Sequence, residues 1–129
     1  MGNEASSKAK IQKFTDLLAW QEGHKLVLAI YGATRLFPSE ELYGLTSQLR
    51  RAVVSVTSNI AEGFSRISHK DKLNFYGIAH GSLTEVQNQL LIAKDIGYLP
   101  HITYTEISSI AETTHKLMTG LIKSMRTLK

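Results

Sequence analysis

The chain has 129 residues and no cysteine, which is one domain's worth of sequence and excludes both a disulfide framework and a thiolate metal site. Its 43% hydrophobic and 20% charged residues make an ordinary globular composition, and no run approaches the roughly 18 apolar residues of a membrane span. The formal net charge of +4 permits contact with nucleic acid or an anionic surface without requiring it.

Residues 1–12 are polar, carry Lys8 and Lys10, and read as a flexible N-terminal arm ahead of one domain over residues 13–129. The arm lacks the apolar centre of a secretory signal, so the expected location is cytoplasmic. Gly2 and Ser6 fit the myristoylation pattern, but that pattern is loose. From Phe14 to Leu36 the apolar positions Leu17, Trp20, Val27, Leu28 and Tyr31 recur at helical spacing. Asp16 falls in the first turn, where its charge suits the helix dipole, and Phe37-Pro38 ends the helix.

The spacing predicts a second helix over Tyr43–Phe64. Its segment Gln48–Phe64 carries only three charges, Arg50, Arg51 and Glu62. Leu49, Val53, Val56 and Ile60 line one side, and small residues occupy most of the rest. A surface helix normally shows charge opposite its apolar stripe, so this helix is expected to be covered on more than one side. In a small protein the second cover falls to another subunit. Gly63 reads as a terminator or a close packing contact.

Ser68, with Asp71 three residues on, caps a third helix expected over His69–Ile96, and Gly97 supplies a left-handed exit before Pro100. Thr103 or Thr105 opens a fourth helix carrying Ile107, Ile110, Ala111, Leu117, Met118, Leu121, Ile122, Met125 and Leu128. No strand-like alternation or internal repeat occurs. Helices of about 22 residues, each about 33 Å long, joined by short connections, make an antiparallel up-down-up-down four-helix bundle the economical all-α architecture.

Gln48, Arg51, Ser55, Ser58 or Asn59, and Glu62 recur at three- and four-residue steps and share one face of the second helix. Asn74, Ser82, Glu85 and Gln89 form a comparable line on the third. If the two lines meet, Arg51 pairs with Glu85, while Asn59, Glu62 and Ser82 exchange hydrogen bonds. A buried charge needs such a partner. The network reads first as a device for register and subunit contact, and second as part of a binding pocket.

The ordered segments FTDLLAWQ, FPSEELYGLTSQLRRAVVSVTSNIAEG and FYGIAHGSLTE, then DIGYL, resemble the four-helix-bundle proteins encoded in intervening sequences of bacterial 23S rRNA genes. The resemblance spans about Lys13 to Leu99, and the fourth helix matches only in character. It implies a homopentamer, a ring-like homo-oligomer in a bacterial cytoplasm. It also implies likeness to the retroelement accessory variability protein, a pentamer that works with a reverse transcriptase and contacts nucleic acid. The family signature falls on Gln48, Arg51, Ser55, Asn59, Glu62 and Gly63, then Ala79, Gly81, Ser82 and Glu85. Many relatives place proline between the serine and the asparagine; Val56, Thr57 and Ser58 here leave the helix continuous.

For function, the basic clusters Lys8, Lys10 and Lys13, then Arg66, Lys70 and Lys72, then Lys123, Arg126 and Lys129 are candidates for phosphate contact with RNA. The competing reading of these residues is solvated charge at helix ends. The alternative function is a protein-interaction scaffold recruiting a polymerase or reverse transcriptase, using apolar positions such as Trp20 and Tyr43. An enzyme is not expected, because no activated nucleophile or phosphate-cradling glycine loop is present. Glu62, Glu85, Glu112 and His115 only partly imitate a di-iron set, so no metal or cofactor is expected. His24 and His80 read as interior or interface histidines, His69 and His101 as solvated.

Overall fold

The computed structural model describes residues 10–127, and within them the chain is all-α, with four long helices and no strand. These are α1 (Leu18–Thr34), α2 (Leu45–Ser65), α3 (His69–Asp95) and α4 (His101–Thr127). Short 3-10 turns at Phe14–Asp16 and Ser39–Glu41 precede α1 and α2. Most of the arm, including Lys8, Gly2 and Ser6, lies outside the described residues, as does Lys129.

Three helix starts differ from the expected ones, and in each the local hydrogen bonding explains why. α2 begins at Leu45 rather than Tyr43, where Glu41 accepts from the Leu45 N–H. Asp16 does not sit in the first turn of α1. Its carboxylate accepts from the backbone N–H of Gln12 at 2.9 Å and of Lys13 at 3.0 Å, which closes a separate turn. Leu17 is then extended, with φ −74° and ψ 130°, and the helix begins after it. α4 begins at His101, ahead of Thr103 and Thr105, because the Pro100 carbonyl already accepts from Tyr104 N–H at 2.9 Å. Proline suits a helix start, where its missing donor is not needed. The remaining punctuation follows the sequence. Ser68 accepts from Asp71 N–H at 3.1 Å, and Gly97 has φ +91°, which glycine adopts without strain.

Each helix contributes one apolar stripe to a shared core. Leu26 and Ile30 come from α1, Leu49, Val53, Val56 and Ile60 from α2, Tyr76, Leu83, Val86 and Leu90 from α3, and Ile107, Ala111 and Met118 from α4. Phe37 and Leu99 from the connections close one end, where Tyr98 donates its hydroxyl to Glu41 at 2.9 Å. Glu41 also accepts from Leu45 N–H at 3.0 Å and so caps α2. Helices approach closely where small residues meet. A Cβ on Gly23 would stand 3.1 Å from the Thr57 methyl group, and one on Gly63 would stand 2.7 Å from the Tyr76 ring. Gly63 is therefore a packing contact of α2 against α3.

Candidate functional site

The two polar lines meet only in part. Ser55 and Ser82 share a hydrogen bond of 2.8 Å across the α2–α3 seam. Asn59 turns back on its own helix, donating to the Ser55 carbonyl at 2.8 Å and to its hydroxyl at 3.1 Å. Arg51 and Glu85 are both exposed, and no ion pair joins them among the described residues. The expected buried pair is thus absent from the single chain, because both residues stand on the outer rim of the seam. Glu62 pairs with Arg66 one turn along, at 2.7 Å, and makes no bond to Asn59 or Ser82. Gln48 and Asn74 are exposed, while Gln89 is buried with its Oε1 unpartnered.

The basic candidates divide by what they already do. The Lys72 ammonium donates to the carbonyls of Phe64 at 2.7 Å and Gly63 at 3.3 Å. It satisfies acceptors at the end of α2, where a cation suits the dipole. Its partial burial holds its pKa below the ordinary lysine value. Arg66, paired with Glu62, also lies over the Phe75 ring at 4.6 Å. Lys10, Lys13, Lys70, Lys123 and Arg126 are exposed and have no ion pair among the described residues.

Between α3 and α4 lies a cleft of about 530 Å³ lined by Leu73, Gly77, His80, Thr119, Ile122, Lys123 and Arg126. The cleft brings Lys123 and Arg126 against the first half of α3, at whose start Lys70 and Lys72 stand. Deeper in the same seam, His80 Nε2 lies 3.1 Å from His115 Nε2. Burial first, and the neighbouring His115 second, hold His80 below the ordinary imidazole pKa. His80 is thus a hydrogen-bonded, half-buried histidine, as its small neighbours led one to expect.

His24 is not an interior residue of the chain. It is exposed and stacked on Trp20, with ring centroids 4.7 Å apart. Trp20 itself packs partly against the core. Gly77 and Thr119 were not singled out from sequence. Their signal was the face shared by Gly77 and His80 on one helix and by Thr119, Lys123 and Arg126 on another, at three- and four-residue steps. No group of three or more His, Asp or Glu side chains able to hold a metal occurs among the described residues. No helix there is long and apolar enough to cross a membrane.

Four helices with this signature on α2 and α3 define a class of small helical proteins. The family model described as 23S rRNA-intervening sequence protein matches residues 15–120. The chain belongs to that family. A solved structure, titled a protein with unknown function from the S23 ribosomal protein family of Bacteroides thetaiotaomicron, is similar with a TM-score of 0.76 at 20% identity. The match covers 82% of this chain and 96% of that one, and it shows the fold. Among curated proteins, none matches.

Proposed function

We propose that this protein is a non-enzymatic cytoplasmic assembly protein, an up-down-up-down bundle that self-associates into a ring-like homo-oligomer, a pentamer, and binds RNA through basic residues gathered at one end. The neighbour contacts support the antiparallel order. Thr34 meets Arg50 at 2.9 Å while Gly23, earlier in α1, meets Thr57, later in α2. Ser55 meets Ser82 while Gly63 meets Tyr76. Lys94 lies over Tyr104, whereas the cleft joins Leu73 and Gly77 to Ile122 and Arg126.

The observation that carries the RNA reading is this convergence. Lys70 and Lys72, at the start of α3, are distant in sequence from Lys123 and Arg126, yet the α3–α4 cleft sets the latter pair beside Leu73 and Gly77 of the same helix. In the antiparallel order Lys10 and Lys13 join them, and the cations at this end outnumber its carboxylates Asp16, Glu62 and Asp71, while Glu40, Glu41 and Asp95 fall at the other end. Such a cluster contacts phosphates with little base discrimination, and several copies in a ring multiply weak contacts through effective concentration. Self-association is supported by the outer α2–α3 surface. There Gln48, Arg51 and Glu85 are exposed beside Ile78 and Ile92, which are 45% and 42% exposed.

The test is titration of a structured rRNA fragment across a salt series. The reading expects affinity to fall with salt in a log–log line. Changing Lys70, Lys123 and Arg126 to glutamine should shrink the slope by about one for each phosphate that the protein ceases to touch. Affinity no greater than that of a neutral helical protein would sink it. Tyr43 at 93% exposed, with neighbouring Leu42 at 48%, favours the scaffold as second reading. A protein partner that survives nuclease treatment but no longer binds the Tyr43→Ala variant supports that reading.

A further inference from the structure

We infer that the α3–α4 cleft is a binding site for the phosphate of a nucleotide-sized phosphomonoester, free or at the 5′ end of an RNA. This goes beyond phosphate-backbone contact along the surface, because it assigns a particular open cleft and a terminal group. Four independent observations support it. First, the lining carries His80, Lys123 and Arg126 and no carboxylate. Neither Lys123 nor Arg126 has an ion pair among the described residues, so their charge stands available to an anion. Second, Thr113 and Thr114 on α4 give their hydroxyls to carbonyls of their own helix, at 3.1 Å and 2.8 Å. Thr119, which lines the cleft, makes no such bond among the described residues.

Third, Gly77 leaves one wall open, since a Cβ there would meet no atom within 4 Å. A glycine in a helix interior is less favourable than alanine by up to about 1 kcal/mol, and here its absent side chain is part of the space. Fourth, the volume of about 530 Å³ falls in the range of small-molecule sites, roughly 300–1,000 Å³, and far exceeds what a lone phosphate fills. Leu73 and Ile122 supply the apolar wall on which a base or sugar can lie. Cationic donors to a phosphate form the stronger, charge-assisted class of hydrogen bond. A phosphomonoester carries up to two negative charges against one for a diester, so two adjacent cations beside an imidazole favour the terminal group. His80, held through Nε2 by His115 at 3.1 Å, is a fixed group of the wall rather than a mobile one.

The test uses the full-length protein at constant ionic strength, with the imidazole resonances of His80 and His115 as readout. Adenosine 5′-monophosphate and an RNA hexamer with a 5′-phosphate are titrated against adenosine and the same hexamer with a 5′-hydroxyl. Saturable shifts with adenosine 5′-monophosphate, at least tenfold tighter than with adenosine, are expected. The hexamer pair then reports whether RNA ends also enter. Gly77→Leu fills the open wall without removing a charge and should weaken binding at least tenfold while leaving helicity and Tm intact. Lys123→Gln with Arg126→Gln should do the same by removing charge. Equal binding of adenosine and adenosine 5′-monophosphate, no saturable shift, or undiminished binding by Gly77→Leu would each overturn the site. Failure of the rRNA titration alone would remove the RNA reading and leave the nucleotide site standing.

Discussion

Gly63 and Gly77 show how local space decides what a glycine is for. Around Gly77 the place of a side chain is empty, whereas at Gly63 the Tyr76 ring occupies it, with ring carbons 2.7 Å and 2.8 Å from an added Cβ. Tyr76 is itself only 2% exposed and cannot swing aside. Gly63→Ala should therefore destabilise by about 1–3 kcal/mol through overpacking, read as a lower urea midpoint. An unchanged midpoint would mean that the α2–α3 seam opens to admit the methyl group. Sequence offered Gly63 as either a terminator or a packing residue, and only the neighbour across the seam decides between them. Arg51 and Glu85 teach the reverse lesson. Helical spacing placed each on the correct face, but it carries no information on whether the faces of two helices turn toward each other or outward together.

Among the elements, the existence and order of all four helices were legible, because each carries several turns of apolar periodicity. The starts of α1, α2 and α4 were not. All depend on local hydrogen bonds, from the Gln12 and Lys13 N–H groups to Asp16, from Leu45 N–H to Glu41 and from Tyr104 N–H to Pro100, which periodicity does not register. The α3–α4 pair also carries a pH response. His80 is held below the ordinary value of 6.5, so the folded chain binds this proton less readily than the unfolded one. The stability tied to neutral His80 is complete above about pH 6.5 and is lost as pH falls through the lowered folded value. Urea midpoints should decline on acidification from pH 7 toward 5.5, and His80→Gln should flatten that decline. Coincident profiles for the two proteins would show that His80 does not carry it.

At the scale of the whole molecule, the outer α2–α3 surface combines charged rim residues with exposed isoleucines. A buried Glu85 partner to Arg51 within one chain would have made Glu85→Ala a severe change. With Glu85 exposed and without an ion pair among the described residues, the loss of chain stability should stay within about 0.5 kcal/mol. If this face joins copies, the same substitution should instead lower the mass measured in solution at a fixed protein concentration. A substitution that alters neither mass nor stability places the assembly contact elsewhere. The light charge of Gln48–Phe64 pointed to this surface from sequence. The convergence of Lys70 with Lys123 and Arg126 was not visible there, since it depends on which helices become neighbours.

The close approach of α2 and α3 also bears on the order in which the chain acquires its structure. Lys72 reaches Gly63 across 9 residues and Ser55 reaches Ser82 across 27, so this seam closes short loops. Gly23 and Thr114, whose methyl group would stand 3.8 Å from a Cβ on Gly23, are separated by most of the chain. Loop-closure entropy rises with the logarithm of loop length, and local contacts favour rapid folding. The α2–α3 pair, which combines short loops with the most extensive helix–helix seam among the described residues, is therefore the natural first structure. Pulsed hydrogen exchange during refolding should protect the amides around Val56 and Leu83 ahead of those around Leu26 and Met118. Simultaneous protection of all four would instead mark a single concerted step.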